Sequence, residues 1–209
     1  MAKVALNKGS MQKEREQLRL YQRVLPSLDL KRQQLTIEFG RAKAVLAEAR
    51  AEVDRLSTRI AQQLPMLANQ EIDVSGLVRL LSAQVREENV VGVRVPALVG
   101  VECAVQPYSM LAKPHWVDVL VERLKQAVEA RTQVQVSDER MRRLDRAVRR
   151  TTQRVNLFEK ILIPSARQNI RRIQIFLGDA ERAATVRSKL AKAKHQRQQQ
   201  AFADVGDTP

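Results

Sequence analysis

Apolar residues recur through the first third of the chain with a period of 3.5. With Leu18 at position a of a heptad, the a positions are Leu18, Leu25, Arg32, Phe39, Leu46, Val53, Ile60 and Leu67. The d positions are Tyr21, Leu28, Leu35, Ala42, Ala49, Leu56, Gln63 and Gln70. Thirteen of these sixteen are apolar, while Lys31, Arg41, Lys43, Glu48, Arg50, Glu52 and Arg55 fall off the seam. A stripe held over eight heptads predicts a coiled-coil helix across residues 1–80. Pro26 interrupts it near its start, where a missing N–H and a clash costing about 3 kcal/mol predict a kink or a break.

The last part of the chain carries a second ladder: Met141, Leu144, Val148, Thr151, Val155, Phe158, Leu162, Ala166, Ile170, Ile173, Leu177, Ala180 and Ala184. Its steps alternate three and four, except for extra fours beside Pro164, a stutter that locally unwinds a left-handed supercoil. Val134, Ala127 and Leu120 continue the ladder upstream, which gives a second helix over residues 116–195. Beyond about Lys194 the seam is lost, and residues 196–209 are expected to be a flexible tail.

Residues 81–115 have another character. Val91, Val93 and Val95 alternate with Gly92 and Arg94, and Val99, Val101, Cys103 and Val105 alternate with Gly100, Glu102 and Ala104. Two period-two runs around Pro96-Ala97-Leu98 predict a β-hairpin at about 89–105, with Pro114 in the first turn of the second helix. Two strands alone are marginal in water, so this hairpin needs a surface to lie on, its own helices or a partner. The predicted fold class is all-α: a long antiparallel two-helix coiled coil with a short central hairpin. Helices of about 60 and 75 residues would measure roughly 90 and 110 Å, the proportions of a rod that bridges or transmits.

Composition agrees with a narrow seam rather than a round core: only seven of 209 residues are aromatic. The single cysteine, Cys103, excludes an internal disulfide and reads as a small apolar strand residue. The longest uncharged stretch, Ile60 to Gln70, is 11 residues against the ~20 a membrane span requires. The N-terminal residues lack the apolar region of a signal peptide.

Charge changes the picture more. The net charge is +14, and residues 140–172 alone hold 11 basic against two acidic groups. Arg142, Arg143, Arg146, Arg149, Arg150 and Arg154 fall at b, c, f, b, c and g, away from the seam. Such a face is either solvated helix surface or a dock for something acidic, nucleic acid or an acidic protein collar. No aromatics interleave with these arginines to stack bases.

Catalytic chemistry finds no support. Lys8-Gly9-Ser10 lacks the upstream glycine and the strand of a phosphate loop. His115 and His195 are 80 residues apart, and with one cysteine they make no metal set; His115 beside Trp116 reads as packing or capping. No catalytic, cofactor or metal residue is assigned.

The run Thr151-Thr-Gln-Arg154-Val155-Asn156-Leu-Phe-Glu159-Lys-Ile-Leu-Ile163-Pro164 resembles the C-terminal helix of the D subunit of V-type rotary ATPases, whose pattern there is close to T-x-R-R-V-N-x-L-E-x-x-x-I-P. Asn89-Val-Val-Gly-Val-Arg-Val-Pro96 resembles that family's central N-x-x-G-x-x-x-P, and Leu28-Asp-Leu-Lys-Arg-Gln-Gln-Leu35 its L-x-x-K-R-x-x-L. Gln153 stands where the family usually has Arg, and Pro26 lies in a helix normally free of proline.

The resemblance implies a non-catalytic central-stalk subunit of an ion-pumping ATPase or ATP synthase. Its coiled coil would stand in the bore of the hexamer of A and B subunits. Its lower end would sit with the F subunit on the protein that caps the membrane rotor ring, and Val91, Val93, Arg94 and Val95 of the hairpin would make contacts at this membrane-side end. The six arginines would meet acidic loops of the hexamer or the F subunit. The resemblance implies no small-molecule substrate, cofactor or nucleic-acid partner, and a place on the cytoplasmic side of the membrane, reached only through the complex. Two classes compete, a basic coiled-coil arm for nucleic acid and a generic scaffold. The γ subunit of F-type ATPases needs a larger globular insert than the 35 residues from 81 to 115.

Overall fold

Asn7 opens the first helix, its side-chain oxygen accepting the backbone N–H of Ser10 at 2.6 Å and so satisfying one of the helix's free donors. Lys8-Gly9-Ser10 are therefore the first turn of this helix, α1 (Lys8–Gln63). A β-hairpin follows, β1 (Val78–Val90) and β2 (Val93–Val105), then α2 (Trp116–Leu157), a π-helical turn (Phe158–Leu162) and α3 (Ile163–Val205). The computed structural model describes residues 5–65, 76–108 and 116–205, with side chains to residue 197. The seam positions Leu67 and Gln70, Pro114, His115 and the last four residues of the tail lie outside the described residues.

The chain divides into two compact units, one of residues 1–27 and 154–209 and the other of residues 28–153. In the second unit the two helices run antiparallel: Leu35 and Ala42 share a cluster with Leu144, Arg50 pairs with Asp138, and Ile60 packs on the cluster that holds Val117 and Leu120. The buried residues of α1 are Leu35, Ala42, Leu46 and Leu56, all on the a/d seam. One cluster joins Leu35, Ala42 and Leu144 to Val95 of β2, with Phe39, Met141 and Val148 around it. A second, Leu64, Leu77, Val117, Leu120 and Val121, closes the base of the hairpin. Burying a leucine side chain contributes about 1.5–3 kcal/mol. The upstream ladder of α2 fades because two of its buried positions are polar. Thr132 satisfies itself on the Val128 carbonyl at 2.8 Å, and Ser137 accepts a bond from Gln133.

The hairpin differs from its sequence expectation. Val91 and Gly92 form the turn, and the rest of both valine runs lies in one strand, β2. Both turn residues have positive φ, 52° at Val91 and 78° at Gly92, as a two-residue hairpin turn requires. Pro96 sits inside β2 opposite Glu87, which a two-stranded sheet tolerates because each strand keeps a free edge. Its partner β1 has two irregularities in register, which leave Leu81 and Val99 without opposite residues and 68% and 63% exposed.

In the first unit α1 and the C-terminal helices also run antiparallel. Asn169 donates to Glu14 at 3.2 Å, and the rings of Tyr21 and Phe158 meet edge to face at 5.4 Å. The α1 helix runs on through Pro26 without a break. Val155, Ile163, Ala166 and Ile173 form the buried stripe. Ile163 is a correction to the ladder, which places Leu162 on the seam. The stutter is realised as the π turn, in which the Ile163 N–H bonds to the Phe158 carbonyl, five residues back. The wide turn absorbs one residue and rotates Ile163 inward. It also precedes Pro164, which has no N–H to give and would clash with the carbonyl four residues back in a regular helix. The helix α3 carries on past Lys194, where the sequence seam is lost, to Val205, and its side chains from Asp179 to Arg197 are exposed.

Candidate functional site

Among the described residues no group of three or more His, Cys, Asp or Glu could hold a metal ion. Also among them, no helix is long and apolar enough to cross a membrane. The candidate surfaces are the arginine face of α2 and the hairpin.

The arginine face is not uniformly free. Arg142 pairs with Asp138 at 2.8 Å and Arg149 with Asp145 at 2.9 Å, each one helical turn earlier. Arg143 donates to Glu139 at 2.8 Å and reaches Glu87 of β1 at 3.5 Å and the Arg94 carbonyl at 3.4 Å. Arg146 shares Glu139 at 3.4 Å. Asp145 lies within the basic run, but Asp138 and Glu139 sit just before it and Glu87 comes from the hairpin, outside the window of the charge count. Arg150 and Arg154 are exposed, and neither has an ion pair among the described residues.

Beside them Arg140 and Arg86 both grip Glu88, at 3.0 and 3.3 Å. Their hydrogen bonds, Arg140 first, hold the Glu88 carboxyl below the ordinary carboxylate range. Glu139 is held low in the same way, chiefly by the Arg143 hydrogen bond, which in turn raises the Arg143 guanidinium. These pairs clasp the tip of the hairpin to α2. Sequence reasoning saw Glu87 and Glu88 only as part of a neutral segment, because nothing local says which helix a hairpin folds back on.

The hairpin valines are used at home. Val95 is fully buried against Leu35, Ala42 and Leu144, with Val91 and Val93 packed at its side, so Val95 has no surface left for a partner. Arg94 stays exposed. The large apolar residues that β1 and β2 do present outward are Leu80, Leu81, Val85, Val99 and Val105. On the other side of the sheet Ser82 and Gln84 both bond to Glu102, at 2.9 and 3.1 Å. Of the motif residues, Val155 and Ile163 are core, Asn156 is half-buried, and Arg154, Glu159 and Pro164 face outward. The motif thus marks the π turn and the seam around it.

Comparison with known proteins gives a consistent result. A family model described as the D subunit of ATP synthase matches residues 10–193. The V-type ATP synthase D subunit of Borreliella burgdorferi is 32% identical over 193 residues, covering 92% of this chain and 95% of that protein. The corresponding D subunit of Chlamydia muridarum is 33% identical over 198 residues, covering 93% and 97%. That of Chlamydia pneumoniae is 31% identical over 196 residues, covering 91% and 92%.

Proposed function

The chain belongs to the family of ATP synthase D subunits, and we propose that it is the central-stalk subunit of a V-type enzyme. In this reading it is the rotor shaft that carries torque between ATP hydrolysis or synthesis in the hexamer of A and B subunits and ion movement through the membrane ring. The observation that carries the reading is the family match, which runs through both helical segments and the hairpin. The physical features suit the role. Paired helices resist bending, and in this reading catalysis is left to the A and B subunits. An asymmetric surface turning inside a ring of subunits would favour a different conformation in each, which is differential binding of states.

The partners in this reading are the A and B subunits, the F subunit and the rotor-ring cap, on the cytoplasmic face of the membrane. Arg150 and Arg154 are the members of the arginine face left to meet the hexamer or the F subunit. Gentle affinity purification of the tagged chain from its native cell at low salt tests the proposal. Co-purification of the A, B and F subunits is expected. Recovery of the chain alone, or with nucleic acid, would overturn it.

A further inference from the structure

Ion pairing sorts the basic residues in a way the sequence does not. The unit of residues 28–153 holds 20 basic and 16 acidic groups, a net of +4, and its arginines are extensively paired. The unit of residues 1–27 and 154–209 holds 17 basic and seven acidic groups, a net of +10. Its ion pairs among the described residues are Lys8 with Glu181 at 4.0 Å and Arg182 with Asp179 at 3.5 Å, all highly exposed. Two of its carboxylates bond amides instead: Glu14 takes Asn169 and Glu16 takes Gln12. Arg19, Arg23, Arg167, Arg171 and Arg172 are exposed and carry no ion pair among the described residues.

These five do not form one ridge. Arg19 and Arg23 lie on α1, the others on α3, and Arg171 and Arg172, as neighbours in a helix, point about 100° apart. A linear polyanion would engage one side of such a pair of helices. An encircling surface engages all of it. Tyr21 and Phe158 are spent on each other, and the exposed ring of Phe176 stands alone among the described side chains of this unit rather than alternating with the arginines as a stacking platform would.

We propose that this unit is an electrostatic bearing, a cationic surface that docks inside a collar of acidic protein side chains. The proposal rests on the reading of the chain as a shaft and goes beyond it by placing the main docking charge here rather than on the ion-paired arginines of residues 140–149. It implies that association is steered by charge and falls steeply with salt.

The test uses the full chain and the A–B hexamer of its own complex. One variant combines Arg19→Gln, Arg23→Gln and Arg171→Gln. A charge-matched control combines Arg41→Gln, Arg50→Gln and Arg55→Gln in the other unit. The first variant is expected to associate about tenfold more slowly at low salt and with a flatter salt dependence, while the control stays within about twofold of wild type. The wild-type chain alone must show the steep salt dependence, a reading that needs no variant. Equal rates for the first variant and wild type, or equal losses in both variants, would overturn the proposal and leave the shaft reading intact. Tighter binding of duplex DNA than of the hexamer at the same salt would overturn it too. A wild-type chain that never binds the hexamer would overturn both.

Discussion

The two units solve the problem of a narrow core differently. In residues 28–153 the hairpin tip closes the seam from a third side, so Leu144 meets Leu35, Ala42 and Val95 together. In the unit of residues 1–27 and 154–209 the buried stripe is walled by helices alone, and its phase is set by the π turn before Pro164. The first arrangement pairs its charges across elements, as Arg143 does with Glu87. The second leaves most of its arginines without such pairs among the described residues. A third element therefore adds a wall to the core and brings carboxylates that pair with the arginines, and its absence leaves a surface defined by charge.

The largest effect that separates the two comes from deleting one residue. Removing Arg142, in regular helix, turns one side of the seam by about 100° relative to the other and should abolish cooperative melting. Removing Lys160 should be absorbed, because the π turn can relax to a regular helix with Ile163 and Ile173 still facing inward. The remaining strain would be at Pro164, and adding Pro164→Ala should restore near-wild-type melting. Circular dichroism melts of the three variants decide it. Equal damage from both deletions would mean that the π turn is not the register device.

Cavities come next. Leu144→Ala should cost about 3–5 kcal/mol, and Ile173→Ala about 2–3, since the first hole has three rigid walls and the second can collapse between helices. Denaturant titration measures both, and a reversed order would break the comparison.

The clasp is weaker and pH-dependent. Glu88 and Glu139 have folded-state values below the ordinary Glu range, so their contribution is fully present above that range and is lost as pH falls through the folded values. The double variant Glu88→Gln, Glu139→Gln should melt below wild type at neutral pH, and the gap should close as pH falls through the carboxylate range. A gap that is independent of pH would contradict the ion-pair account. The smallest effect belongs to the turn. Val91→Asn removes a β-branched residue from positive φ, a strain of about 1–3 kcal/mol, but also loses its apolar packing. The net shift in melting should be near zero, and a large loss would show that packing dominates.

The seams were legible because a buried helical stripe repeats along the chain and each residue on it reports the same fact. Leu35, Ala42, Leu46 and Leu56 fell where the heptad placed them. The hairpin was legible only as a presence. Its strand β1, Val78 to Val90, has a bulge at Leu81 and no clean alternation, so its first three residues were read into the helix and residues 81–88 were left without a strand. The Val-Gly turn carries none of the Asn-Gly chemistry that marks such turns, and Pro96 looked like a turn residue when it was a strand residue. The stutter at Pro164 was visible in the spacing, but not that it would be taken up in a π turn. The candidate arginines were visible as a run, while the carboxylates that pair with four of them come from a hairpin more than 50 residues earlier and from the same helix one or two turns back.

Direct observation of motion tests the central claim. With the A–B hexamer fixed to a surface and a bead on this chain, ATP should drive stepwise rotation in one direction, stopping when ATP is removed. Full ATP hydrolysis with a stationary bead would contradict the shaft.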